Sequence, residues 1–314
     1  MAEKKRQHYV PKVYLKYFSL DDKSINIFNI ETGKLYTNIP FKSQFKDSYY
    51  YGSNLKVENT LGFYESNFDE AFIKIEKNLE LSRDEKIIIM KFALLQKHRT
   101  NKNIKPIEDM VKKKAETQLR SMHPNAGEST NEIFDKCWKE KYGNVKEMEY
   151  EIAIDTISDL FKNEELAKYN AIALKNNSGI DFLSSDNPVC VIDIDEGKLT
   201  ETSCLAPRKI MFFPLGFKKL IVIYGKEEYE IVKKSLNKQD VLTVNTLIAL
   251  NADKQLITPS SFSENKIKHW ITKINAKVVD DGAQPLVRNG PNILYKFTPK
   301  YVEYKNMPEF IRKK

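Results

Sequence analysis

The sequence predicts an α+β fold, with a helical block inserted between an N-terminal β-hairpin segment and a C-terminal mixed sheet with helices. Three observations carry this. Near the start, apolar residues alternate in short runs, as at Ile25 and Ile27. Further on, Leu61, Tyr64, Phe68, Phe72, Ile75 and Leu79 recur at steps of three and four. From residue 166 short apolar runs return, interspersed with helix-length segments. Alternation marks half-buried strands, whereas 3.6-residue periodicity marks amphipathic helices. Strands and helices segregated in this way favour α+β over a regular βαβ arrangement. The chain divides on this reading into residues 1–56, 57–165 and 166–314. The first and last parts are expected to form one compact unit and to share a sheet.

The elements follow in order. Pro11 stands where a helix begins, so Tyr14–Phe18 reads as one helical turn. Ser24–Ile30 and Leu35–Phe41 flank the turn Glu31-Thr32-Gly33-Lys34 and make a hairpin. Tyr49-Tyr50-Tyr51 closes this segment. Such a run can stack on bases, but packing under a loop is the commoner use of aromatic side chains. Ser82-Arg83-Asp84-Glu85 has capping-box spacing and starts a helix that carries Ile88, Phe92 and Leu95 inward. Helices are also expected over Ile107–Leu119, after a second capping box at Ser129–Glu132, and over Glu147–Phe161. Tyr169–Leu174 and Ile180–Leu183 flank Asn176-Asn177-Ser178-Gly179, which reads as a second hairpin. Val189–Ile194, Lys209–Phe213 and Leu220–Tyr224 add strands. Lys226–Leu236, Asp240–Asn251 and Ser263–Lys273 read as helices, and Ile293–Tyr304 as terminal strands.

Composition narrows the function. The 314 residues are 41% hydrophobic and 30% charged, an ordinary globular balance. No apolar run approaches the roughly 20 residues a membrane span needs. The opening MAEKKRQHYVPK lacks the apolar core of a secretory signal. A cytoplasmic protein with no membrane partner is therefore expected. Cys137, Cys190 and Cys204 are too few and too scattered for a disulfide framework or a cysteine zinc site. The net charge of +8 suits a nucleic-acid partner. It equally suits a lysine-rich compositional bias. Residues 97–120 concentrate the charge, with Lys102, Lys112 and Lys113 among eight basic side chains.

Three places offer chemistry. Arg99 continues the apolar face of its helix, so its guanidinium must meet a carboxylate, a phosphate or backbone carbonyls. His8, in Gln7-His8-Tyr9-Val10-Pro11, has a ring that titrates near neutrality, and Pro11 holds Val10 extended. Ser184-Ser185-Asp186-Asn187-Pro188 is a tight turn at a strand end. Its Asp and Asn serve either their own backbone or a bound group. Phosphate-binding loops, dinucleotide fingerprints, zinc-protease motifs and nucleophile elbows do not occur in the sequence. His8, His98, His123 and His269 lack ligand spacing. The metal and cofactor are left open, with Mg²⁺ held by scattered carboxylates as the candidate.

Taken together, these stretches have a familiar order. Gln7–Pro11 followed by Tyr14–Phe18 resembles the opening of the domain of unknown function 4238 family. Phe92–Thr100 and Phe182–Val189 resemble two further family stretches, and Phe213-Pro214-Leu215 resembles the start of a fourth. The chain departs from the family in having Asn101 after Thr100 and Pro-Leu-Gly-Phe where Pro-Leu-Ser-Pro is usual. The resemblance supplies no mechanism, but it falls on His8, Arg99, Asp186 and Asn187.

The expectation is a nuclease-like bacterial effector, of a defence or toxin type, acting on a phosphodiester of nucleic acid. His8 would act as general acid or base, Arg99 would stabilise charge, and Asp186 would orient His8 or hold Mg²⁺. Tyr9, Asn187, Lys102, Lys112 and Lys113 would bind substrate. The alternative is a non-catalytic nucleic-acid- or ligand-binding sensor in which Arg99 and Asp186 form a buried ion pair. A structural or partner-binding protein, with the three clusters far apart, is the third reading.

Overall fold

The computed structural model describes residues 6–51, 56–103, 166–200, 208–274 and 308–314, and the backbone of 277–279, 283–289, 292–297 and 301–303. Strand β1 (Arg6–His8) leads through Pro11 into α1 (Lys12–Leu15) and a 3-10 turn ending at Phe18. The predicted hairpin follows as β2 (Ser24–Asn29) and β3 (Lys34–Pro40), and β4 (Lys46–Ser48) returns to pair with β1. Helices α2 (Lys56–Glu76) and α3 (Arg83–His98) come next. Ser82 caps α3 through the Glu85 amide, and the Glu85 carboxylate accepts from the Ser82 amide. Two otherwise unpaired donors are thereby satisfied. Leu79 departs from the expected stripe: α2 ends at Glu76 and Leu79 is exposed. The amides of Asn78 and Leu79 bond back to the Ile75 and Lys74 carbonyls, with Asn78 left-handed at φ 55°. That is a Schellman stop. Ile88 is only half buried, whereas Ile87, Phe92 and Leu95 are buried. The helices expected over Ile107–Leu119, after Ser129 and over Glu147–Phe161 lie outside the described residues.

The second half supplies β5 (Tyr169–Asn176), β6 (Ser184–Ser185), β7 (Cys190–Asp193), β8 (Lys198–Thr200), β9 (Lys209–Leu215) and β10 (Lys219–Gly225). Then come β11 (Tyr229–Ile231), β12 (Ser235–Leu236), α4 (Lys238–Asn251), β13 (Gln255–Thr258) and α5 (Glu264–Thr272). The chain ends with β14 (Lys277–Val279), β15 (Ala283–Asn289), β16 (Asn292–Phe297), β17 (Tyr301–Glu303) and β18 (Ile311–Lys313). Helices and mixed sheets together make the α+β class that the patterning predicts.

An eight-stranded sheet runs β12-β5-β10-β9-β7-β8-β17-β14. Its central strands are covered on both faces, which is why β9 and β10 read as nearly continuous apolar runs. Met211, Phe213, Ile221 and Ile223 face a core built with α1, α2 and α3. Ile210, Phe212, Leu220 and Val222 face a second core with α4 and α5. A four-stranded sheet, β3-β2-β13-β6, joins the N-terminal hairpin to two later strands. The two β parts thus share a sheet.

Two expectations are overturned. Ile180–Leu183 does not pair with β5, whose neighbours are β10 and β12. The Asn176 side chain does form the turn, accepting from Ser178 and donating to the Ile180 carbonyl. The chain then leaves for the four-stranded sheet as β6, the Leu183 amide donating on the way to Asn245 Oδ1 of α4. Lys226–Leu236 is not a helix. Tyr229–Ile231 pairs with Ile311–Lys313, and Ser235-Leu236 pairs in parallel with Lys175-Asn176. Pairing with distant segments outweighs the local helical pattern.

Candidate functional site

The segments carrying His8, Arg99 and Asp186 converge. β1 places His8 opposite Lys46 on β4, so the two side chains share one face of the ribbon. The main chain here is held from three sides. The His8 carbonyl accepts from Tyr51 Oη at 2.8 Å and Arg99 Nη2 at 2.9 Å. The Tyr9 carbonyl accepts from Gln96 Nε2 at 3.0 Å and Arg99 Nε at 3.1 Å. Buried Gln7 accepts the Tyr51 amide. Of the tyrosine run, Tyr50 and Tyr51 are buried and Tyr49 is exposed, so packing accounts for two of the three.

Arg99 is the C-cap of α3 and is buried. Its carboxylate partner is Glu65 on α2, at 2.9 Å. The ion pair with Asp186 that belongs to the alternative reading is thus not the one formed. Burial works against the Arg99 charge, but Tyr51 and Glu65 outweigh it and hold its pKa above the ordinary value. The guanidinium fork serves one carboxylate and two carbonyls, which a compact ammonium could not match.

Asp186 points elsewhere. Its carboxylate accepts the backbone amides of Asp253, Lys254 and Gln255 at 2.9, 2.8 and 3.0 Å. Burial nonetheless pushes its pKa up to about 6, against those three donors. Asn187 Nδ2 donates to the Asn251 carbonyl, and Asn251 Nδ2 donates back to the Asn187 and Val189 carbonyls. Asn187 Oδ1 accepts from Thr100 at 2.9 Å and Asn103 at 3.0 Å. Lys102 Nζ donates to the carbonyls of Leu250, Asn251 and Ala252. A cation there suits the negative end of α4. The turn from α4 into β13 is therefore gripped twice, by Lys102 on its carbonyls and by Asp186 on its amides. Lys112 and Lys113 lie outside the described residues.

Tyr14 ties the remaining stretches together. Its hydroxyl donates to the Pro214 carbonyl at 2.8 Å, so Ser184 Oγ, also at 2.8 Å, is the donor to Tyr14. Gly216, where the related stretch carries serine, has φ +64°, and a Cβ there would stand 2.8 Å from the Tyr17 carbonyl oxygen. Glycine meets both demands without strain.

His8 differs from these residues. Its Nε2 lies 3.1 Å from the Lys42 carbonyl oxygen. A carbonyl only accepts, so Nε2 carries the proton and Nδ1 keeps its lone pair. Burial and then the Lys12 charge, with smaller contributions from Lys46 and Arg99, push the ring down to about 4. The imidazole is therefore neutral at pH 7. Tyr9 packs its ring against Phe45 and Tyr50. Burial, and next Asp186, keep its hydroxyl protonated. Among the described residues, no three His, Cys, Asp or Glu side chains gather as metal ligands do. No described helix is long and apolar enough to cross a membrane.

Sequence reasoning missed Glu65, Gln96, Thr100, Asn103 and Asn251. Gln96 and Thr100 lay inside a stretch singled out beforehand, but bonds to main-chain atoms leave no spacing signature. No curated protein and no solved structure matches the chain. A family model, described as Protein of unknown function (DUF4238), matches residues 6–262 and takes in every stretch just described. The match covers most of the sequence, and the chain belongs to the DUF4238 family.

Proposed function

We propose that the protein is a nuclease-like effector acting on a phosphodiester of nucleic acid, with His8 as its acid–base group. The setting of the His8 ring is the observation that carries this reading. It is neutral, oriented by the Lys42 carbonyl, and surrounded by the charges of Lys12, Lys46 and Arg99. A phosphodiester entering this field is attracted to the lysines. It also offsets the part of the suppression of His8 protonation that comes from these charges rather than from burial, which raises the ring's pKa. Nδ1 then takes a proton from the attacking water or hydroxyl. Arg99, Asp186 and Asn187 act in this scheme as positioning residues, because their polar atoms hold backbone.

End-labelled DNA and RNA, single- and double-stranded, incubated with Mg²⁺ and with chelator, test the reading. Cleavage should fall by roughly 10²–10⁴ in His8→Ala, the usual contribution of a general acid or base. The acidic limb of kcat/KM should lie near pH 4 rather than 6.5, because kcat/KM reports the free protein. Full cleavage by His8→Ala refutes the assignment. One observation favours a second reading, a non-catalytic binding module: Arg99, Asp186 and Asn187, three of the four family-matching polar residues, all spend bonds on holding main chain. Salt-sensitive gel-shift binding with intact substrate recovered would select it.

A further inference from the structure

A cavity of about 340 Å³ opens where the end of α2 meets α3 and the edge of the large sheet. Four lysines line it: Lys86, Lys175, Lys219 and Lys234. Among the described residues Glu80 is the one carboxylate on its wall, and Ile75 and Leu81 give it an apolar side. From this arrangement we infer that the cavity binds a small organic phosphate.

The lysines crowd together at one end of the sheet. Lys219 and Lys175 stand directly opposite each other on antiparallel β10 and β5. Like charges in that register repel. Ser235, next to Lys234, pairs with the same Lys175 from the other side. Two adjacent strands, and the residue that precedes a third, thus bring lysines to one end of the sheet. Lys219 is also buried; its ammonium bonds the neutral side-chain carbonyl of Asn78 and is favoured by the charge of Glu76 at the end of α2. Among the described residues, none of the four forms an ion pair. Lys219 lies beside the last turn of α2, where a cation suits the helix end. Lys86, Lys175 and Lys234 add their charge to the same wall from the partly or fully exposed side, where a ligand can reach them. A second cavity, of about 380 Å³, shares Lys86 and adds Arg83 and Lys226, so the positive charge continues along this face.

The chemistry selects the ligand. Ammonium groups act as point charges toward phosphate oxygens. The volume is at the low end of the roughly 300–1,000 Å³ of small-molecule sites. An apolar wall beside the cations accommodates the organic part. None of the lining residues belongs to the His8 ribbon, so this inference does not rest on the proposed nuclease activity.

Isothermal titration of the full chain with phenyl phosphate, and separately with inorganic phosphate, tests it at low ionic strength. Phenyl phosphate should bind at one site, and more tightly than inorganic phosphate. Lys175→Met and Lys234→Met alter exposed residues, so the fold should persist. Each should weaken binding about tenfold, in line with the loss of one charge-assisted contact. His8→Ala should bind like the parent chain. Absence of saturable binding, or binding that both lysine variants leave unchanged, overturns the inference. Inorganic phosphate binding as tightly as phenyl phosphate overturns its organic part.

Discussion

Replacing Arg99 by Met should destabilise the protein by about 3–5 kcal/mol. The guanidinium is buried and reaches Glu65 and the His8 carbonyl at 2.9 Å and the Tyr9 carbonyl at 3.1 Å. Methionine retains much of the aliphatic stem but removes all three bonds. The two carbonyls keep Tyr51 and Gln96 as second donors, so they are not stranded. The largest loss is the Glu65 carboxylate, left partly buried without its cation. Breaking such a pair from one side costs about 3–5 kcal/mol. Unfolding entropy of ~2.1 cal/mol/K per residue over 314 residues gives ~0.66 kcal/mol/K, so Tm should drop by ~5–8 °C. Arg99→Lys keeps the charge but not the fork and should still lose ~2–3 kcal/mol. Glu65→Gln combined with Arg99→Met should cost less than the sum of the single changes, because they remove the same pair. Urea unfolding of the four variants measures all of this. An Arg99→Met protein within 1 kcal/mol of the parent, or an Arg99→Lys protein equal to it, refutes the reasoning.

Two further predictions concern the turn and the buried tyrosine. Asp186 has its folded pKa raised from 3.8 to about 6, so the fold keeps a proton that the unfolded chain has released between those values. Stability should therefore fall by about 3 kcal/mol as pH rises through that window, and Asp186→Asn should lack this component. Urea unfolding at pH 4 and pH 7 reads it, and a parent-minus-variant difference that stays constant with pH contradicts it. Tyr14→Phe keeps the ring against Phe18, Phe92 and Phe213 but strands Ser184 and the Pro214 carbonyl. It should cost about 1–3 kcal/mol. Adding Ser184→Ala should add little, and a fully additive second loss would show that the Tyr14–Ser184 bond contributes nothing.

What was legible in the sequence was local. The Ser82–Glu85 box, the Ser24–Pro40 hairpin and the extent of α4 each depend on residues within a few positions of one another. Apart from the local stop that removes Leu79 from its stripe, what was misread was non-local. Tyr229–Ile231 is a strand because residues 311–313 lie beside it, and no window of ten residues contains that fact. The site divides the same way. Arg99 and Asp186 were recognisable as polar groups in demanding surroundings, but their partners were not, because most are carbonyls and amides that every residue possesses.

This bears on what the family resemblance means. Arg99 and Asp186 bond chiefly to main chain, and Asn187 holds one carbonyl, so side-chain identity at those positions governs the path of the backbone. Arg99 fixes the carbonyls of residues 8 and 9, Asp186 the amides of 253–255, and Asn187 the end of α4. A catalytic group needs the opposite property, a polar atom that the fold orients without consuming. His8 has it: one ring nitrogen is anchored to the Lys42 carbonyl and the other keeps a lone pair, on a strand the other residues immobilise. Loss of Arg99 should therefore reduce any His8-dependent activity through the position of the ring rather than through charge at the substrate. The signature is a fall in kcat for Arg99→Lys that retained charge does not rescue. If Arg99→Lys keeps full kcat, the guanidinium fork does not position His8, and the bracing network serves stability alone.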